Sequence, residues 1–216
     1  MTATAIPEAT WLGERFQLSL HSEPLKKRDV EIEEYVGVFH DWIRRSAIEG
    51  GGLLIDVASY AHVPNGPGVL LIGHEVDFGV RVASGRVELT CRHKRDPLGE
   101  GNVLQRCLKL LLSAAQLLES ATTLSEAPSF RASEFVFRSN DRLRCPNTPE
   151  VGSRATRTVG ALFGKVLGVQ ELVSASIAPE REALTLVIKR PVGLGEPEEL
   201  ASTMRRLAAC GSVARG

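Results

Sequence analysis

The chain has 216 residues, of which 43% are hydrophobic and 24% are charged, a balance typical of a packed globular protein rather than a disordered one. Lys and Arg together number 26, as do Asp and Glu, so the basic excess that usually accompanies phosphate neutralisation is absent. We therefore expect no nucleic-acid partner.

The first half of the chain predicts strands and helices in alternation. Period-two alternation indicates half-buried strands, and apolar residues at helical spacing indicate an amphipathic helix. The predicted elements are a strand at 16–20, a helix at 32–43 stopped by the glycines at 50–52, strands at 53–58, 69–80 and 87–93, and a helix at about 99–120. The apolar stripe of the last helix is so wide that we expect both the sheet and a second surface to cover it.

The second half repeats this order after a loop. Its predicted elements are a strand at 130–138, a helix beginning at 147–150, strands at 169–178 and 183–190, and a helix at 196–209. The segment Asn147-Thr148-Pro149-Glu150 combines a capping side chain, a first-turn proline and an acid near the positive end of the helix dipole.

These elements predict an α/β fold of two layers, in which a mixed, largely antiparallel sheet packs against helices. We expect two related βαββα-like halves, residues 14–122 and 128–211, packed together as one unit. An internal duplication explains the repeated order, and ordinary α/β alternation is the alternative. The wide helix at 99–120 further predicts a homo-oligomer, most simply a dimer.

The cysteines and the apolar segments bear on localisation. Cys91, Cys107, Cys145 and Cys210 show neither the spacing of a zinc site nor the setting of a disulfide framework. The longest apolar stretch, 108–118, is about half a bilayer span, and the first fifteen residues lack the pattern of a secretory signal. We expect a soluble cytoplasmic protein with free thiols and no membrane partner.

Residues 54–75 contain a more distinctive set of polar, glycine and proline residues than the packing of strands requires. They include Asp56, Tyr60, His62, the Gly66-Pro67-Gly68 turn and the Gly73-His74-Glu75 triplet. In these positions the chain resembles a family of uncharacterised bacterial proteins that share the pattern LIDVAxYxHVxxGPGVxLIGHE. Asn140-Asp141-Arg142 and Asn147-Thr148 resemble the same family. The resemblance covers most of the chain and implies no activity.

His74 is the first candidate for chemistry in this segment. On a continuous strand over 69–80, His74 would share a face with Ile72, Val76 and Phe78, either buried with a hydrogen-bond partner or lining a pocket. Glu75 and Asp77 would share the other face about 7 Å apart, where they could bind a cation or divide into acid and base, or simply be solvated.

The remaining candidates lie nearby. Asp56, near the end of a strand, occupies a place where acids often border a ligand crevice, but no phosphate-binding glycine motif follows it. His62, His74 and Glu75, or Cys91 with His93, match no familiar metal spacing, so we expect no metal. Ser59 lacks a nucleophile elbow, whereas Cys145 precedes a helix N-terminus that favours a thiolate.

The function predicted first is a non-catalytic binding or assembly module for a small-molecule or protein ligand. The alternative is an enzyme acting on a small polar metabolite. In that case His74 or His62 would be the general acid or base, and Asp56 or Glu75 would orient it. The sequence assigns no cofactor.

Overall fold

A computed structural model describes residues 15–27, 30–64, 66–94, 102–168, 173–176, 182–189 and 199–212. The elements are, in chain order, β1 (Phe16–Ser22), α1 (Glu34–Arg45), β2 (Leu54–Ser59), β3 (Val69–Gly73), β4 (Val76–Ala83), β5 (Arg86–His93), α2 (Val103–Glu119), β6 (Phe130–Ser139), α3 (Pro149–Leu167), β7 (Val173–Ser176), β8 (Thr185–Lys189) and α4 (Leu200–Ser212).

The strands of this part of the chain form one eight-stranded sheet in the order β2-β3-β4-β5-β1-β6-β8-β7, and every pair in it is antiparallel. β1 and β6 are neighbours near the middle. Each is followed by a helix and by strands whose last member returns to pair with it, β5 with β1 and β8 with β6. The predicted α/β fold with a largely antiparallel sheet packed against helices is confirmed. An origin by duplication stays a prediction.

One face of the sheet is buried under the helices. Leu18 of β1 is in register with Cys91 of β5 on one side and with Phe137 of β6 on the other, and all three are fully buried. This face belongs to a single apolar core that also includes Trp42 of α1 and Phe163 of α3. The opposite face, called here the open face, carries most of the polar strand residues.

α2 lies at the centre of the helical layer. Asn102 caps it by accepting a hydrogen bond from the Gln105 N–H at 3.1 Å. The helix contacts β1 and β5 on one side and α4 on another, and Lys109 is its one fully exposed residue. The expectation of a second covering surface is confirmed, and that surface is α4 of the same chain. The width of the apolar stripe therefore no longer argues for a dimer, and the homo-oligomer stays a prediction without this support.

The predicted strand at 69–80 is wrong, because the chain turns back at His74-Glu75 to form the β3–β4 hairpin. Val69 is in register with Val80, and Leu71 with Phe78. Gly73 permits the tight reversal, since a Cβ at this position would lie 2.2 Å from the Val76 carbonyl oxygen. The turn moves the buried face from the odd positions Val69 and Leu71 to the even positions Val76 and Phe78. Because Leu70 and Ile72 are apolar as well, the pattern alone did not reveal the break.

Other element boundaries differ slightly from expectation. α1 ends at Arg45 with Ser46 in the left-handed region (φ 50°), several residues before the glycines at 50–52. The expected helix start near residue 99 and the outer parts of the predicted strand at 169–178 lie outside the described residues. α3 begins as predicted, with Pro149 in its first turn and Thr148 accepting a hydrogen bond from the Val151 N–H.

Candidate functional site

The two histidines proposed for acid–base chemistry lie at opposite ends of β3. His62 is exposed in the connection between β2 and β3, and His74 is exposed in the turn between β3 and β4. The five residues of β3 separate these turns by roughly 15 Å at about 3.3 Å per residue. The two imidazoles therefore do not share a site.

The expected burial of His74 is wrong, and the turn is the reason. His74 does not continue the apolar face of a strand, because its backbone N–H donates to the Leu53 carbonyl at 2.8 Å and its side chain lies at the surface.

Glu75 and Asp77 form ion pairs with two different cations, Arg106 and Lys94. Glu75 Oε2 accepts from Arg106 Nη2 at 2.5 Å, and the same nitrogen donates to the Gly50 carbonyl at 2.7 Å. Asp77 Oδ1 accepts from Lys94 Nζ at 2.8 Å and from the Gly73 N–H at 3.1 Å. The two carboxylates thus brace the β3–β4 turn against α2 and β5, and they do not form an acid–base pair with each other.

Asp56 lies on β2, which is an edge strand. Its Oδ1 accepts from the adjacent Val57 N–H at 2.8 Å, and its side chain is exposed. Among the residues that the structure describes, no group of three or more His, Cys, Asp or Glu side chains could hold a metal ion. The structure therefore does not bring Asp56, His62, His74 and Glu75 together, and their catalytic role stays a prediction.

Cys145 does not have the environment of an activated nucleophile. It is fully buried, and burial raises the pKa of its thiol more than the hydrogen bond with Ser139 lowers it. Cys91 and Cys107 are also buried, and their mutual hydrogen bond together with desolvation raises the pKa of Cys91 well above its usual range. All four cysteines are free thiols.

A groove that the sequence did not predict lies at one end of the open face. Strand register aligns Asp77, Arg92, Gln17 and Arg138 across β4, β5, β1 and β6. The groove has a volume of about 610 Å³. The residues that line it come from five strand positions and three flanking ones: Arg15, Gln17, Asp77, Arg92, His93, Lys94, Arg138 and Asn140.

The described residues that line the groove carry three more positive charges than negative ones. The single carboxylate among them, Asp77, is paired with Lys94, which leaves three arginines. Arg92 Nε is buried and has no hydrogen-bond partner among the described residues. Two other cations of the open face are paired with acids, Arg81 with Glu88 at 2.6 Å and Lys189 with Glu134 at 3.0 Å. At this end of the face, Arg15, Arg92 and Arg138 have no acidic partner among the described residues.

Such a surface can bind an anion. A buried guanidinium donor without a partner is costly, and an anionic acceptor removes that cost through a charge-assisted hydrogen bond. Polar residues at alternate positions of apolar strands, such as Gln17, Arg92 and Arg138, were the available signal in the sequence. That signal places each residue on an open face, but it does not say which strands are neighbours.

Comparison of the chain with protein-family models, with curated proteins and with solved structures finds no match in any of the three. In the described part of the chain, no helix combines the length and apolar character needed to span a membrane.

Proposed function

We propose that the protein is a non-catalytic binding module that takes a small anionic ligand in the groove at the end of its open sheet face. The observation that carries the proposal is the group of three arginines that line one groove and have no acidic partner among the described residues, whereas Arg81 and Lys189 of the same face are paired with acids. This proposal specifies the binding module predicted from the sequence. The alternative enzyme lacks comparable support, because its histidines lie in separate exposed turns.

We propose a small ligand rather than a nucleic acid. Proteins that bind single-stranded nucleic acid on a sheet stack bases on aromatic side chains. The described open-face positions of the strands around the groove carry no Phe, Tyr or Trp, and the one histidine among those named here, His21, lies four residues along β1 from Gln17; these positions include Gln17, Ser19, His21, Thr90, Val136 and Gly79. The zero net charge of the chain agrees with this choice.

Three further predictions from the sequence are kept as proposals. A cytoplasmic location fits the free and mostly buried thiols. Membership of the family of uncharacterised bacterial proteins rests on the sequence resemblance alone. Self-association as a homodimer is kept without the helix width as an argument, because α4 covers that surface.

The proposal is tested by calorimetric titration of orthophosphate into the wild type and into two arginine variants at constant ionic strength. Wild type should bind saturably, and Arg92→Ala should weaken binding by about tenfold or more, since a hydrogen bond to a charged group contributes about 1.5–3 kcal/mol. Arg81→Ala is the matched control, because Arg81 lies on the same face but is paired with Glu88. An absence of saturable binding to wild type, or equal losses in both variants, would contradict the proposal.

A further inference from the structure

The three arginines of the groove surround one neutral side chain. Gln17 of β1 is in register with Arg92 of β5 and with Arg138 of β6. Arg15 precedes Gln17 by two residues on the same face of the chain and is held beside β6 by the Asn140 N–H, which donates to its carbonyl at 2.8 Å. Gln17 thus lies between Arg92 and Arg138, midway along one side of a triangle whose third corner is Arg15.

The dimensions of this triangle follow from sheet geometry. Neighbouring strands are about 4.8 Å apart, so the backbones of Arg92 and Arg138 are roughly 10 Å apart across β1. Arg15 is a diagonal neighbour of each, at about 7–8 Å. The Gln17 amide leans along its own strand and donates to Ser19 Oγ at 3.2 Å, which leaves the space above the centre of the triangle open.

The residue types at the corners favour one kind of anion. Guanidinium groups present planar pairs of N–H donors that match tetrahedral oxyanions bidentately, whereas an ammonium group acts as a point charge. The one lysine of the groove, Lys94, is directed away from the triangle, since its Nζ donates to the Gly73 carbonyl at 2.6 Å and to Asp77. Three guanidinium groups arranged around one point therefore match an anionic group with three equivalent free oxygens.

We propose that the ligand is a small phosphate monoester whose terminal phosphoryl group lies above Gln17 and receives hydrogen bonds from Arg15, Arg92 and Arg138. This inference rests on the proposed function and narrows it. A monoester offers three terminal oxygens and about two negative charges at neutral pH. A phosphodiester offers two such oxygens and one charge. A dicarboxylate offers equal charge in a different geometry.

The test compares three probes on the wild type: methyl phosphate, dimethyl phosphate and malonate. Methyl phosphate should bind at least tenfold more tightly than dimethyl phosphate and clearly more tightly than malonate, which has the same charge. If all three bind with similar affinity, the groove is an anion site without phosphoryl preference. The inference then fails while the proposed function stands. If none binds, both fail.

A charge-conserving variant separates the contribution of guanidinium geometry to binding from the contribution of positive charge. Arg138 is exposed, so Arg138→Lys should fold normally. It should weaken methyl phosphate binding about fivefold or more and change malonate binding much less. The matched control is Arg81→Lys, which should leave both affinities unchanged. Equal retention of methyl phosphate binding by Arg138→Lys would overturn the assignment of this arginine to the phosphoryl group.

Discussion

Glu75 shows how a residue that suggests chemistry in the sequence can have a mechanical role in the structure. Its carboxylate is bonded to Arg106 of α2, and the same guanidinium group holds the Gly50 carbonyl, so one ion pair joins the β3–β4 turn, the segment after α1, and α2. Both partners are about three-quarters buried, with side-chain exposures of 22% for Glu75 and 25% for Arg106. Because both side chains are largely buried, removing one of them leaves an uncompensated charge and lowers the free energy of unfolding.

Replacing Glu75 therefore tests the structural role directly. Glu75→Gln keeps the shape of the side chain but leaves the Arg106 guanidinium without its anion. We expect the free energy of unfolding to fall by about 1–3 kcal/mol, the usual cost of a charged group deprived of its partner. The exposed neighbour provides the control, because His74→Gln should change stability by less than about 0.5 kcal/mol. Chemical denaturation of both variants measures the difference, and equal effects would contradict this account.

At the scale of elements, local chemistry made several features predictable. The start of α3 follows from Thr148, Pro149 and Glu150, since a cap, a proline and an acid act within a single turn. The β3–β4 turn was missed because Ile72 is apolar although it lies on the face opposite to Val76 and Phe78, so the sequence shows a continuous alternation that the structure does not have. The groove was missed because it depends on the pairing of β1 with both β5 and β6, and strand register between distant segments is not a local property.

The segments before α1 and after α2 are joined by a carboxylate clamp with a predictable pH dependence. Glu126 accepts the backbone N–H groups of Lys26 and Lys27, each at 2.8 Å, and these bonds lower its pKa in the folded state. Since the folded-state pKa lies below the unfolded value, the clamp stabilises fully above about pH 4.5, the ordinary carboxyl value. Its contribution is lost as the pH falls through the lowered folded-state pKa.

Thermal unfolding as a function of pH checks this expectation. Glu126→Gln should lower the melting temperature at pH 7, and the difference from wild type should shrink in acid as the wild-type carboxylate becomes protonated. Glu23→Gln, which alters an exposed acid on the same segment, should give no such pH-dependent difference. A Glu126→Gln difference that stays constant down to pH 2 would contradict the sign of the shift.

For the molecule as a whole, a single apolar core joins the two predicted halves. Phe163 of α3 is fully buried and contacts Phe135, with ring centroids 5.0 Å apart, whereas Trp42 lies in α1 of the other half. Both belong to the same cluster of buried residues. The halves should therefore unfold together rather than as independent domains.

A remote substitution tests this cooperativity. Phe163→Ala should reduce the free energy of unfolding by about 3–5 kcal/mol, because it leaves a large cavity. In a Trp11→Phe background, the fluorescence of Trp42 should report the same reduced midpoint as far-UV circular dichroism, although the substitution lies in the other half. An unchanged Trp42 transition, or two separate transitions, would show that the halves are energetically independent.

The edge of the sheet at β2 has a consequence for behaviour at high concentration. Four of the five large hydrophobic residues that are exposed in the described part of the chain lie between residues 53 and 63, among them Leu53 (68% exposed) and Ile55 (54%). Unpaired apolar edge strands recruit other chains, and charged side chains protect natural edges against this. Asp56 lies between these hydrophobic residues, and it occupies the Val57 N–H that an incoming strand would need.

We therefore expect Asp56 to act as a gatekeeper residue that opposes aggregation at this edge. Asp56→Ala should leave the melting temperature nearly unchanged, since the residue is exposed, but should accelerate assembly in concentrated solution. Light scattering and thioflavin fluorescence over a concentration series would detect that assembly. Ile55→Lys combined with Asp56→Ala should restore wild-type behaviour by adding a new charge to the same edge. If Asp56→Ala aggregates no faster than wild type, other features of β2 must keep neighbouring molecules apart.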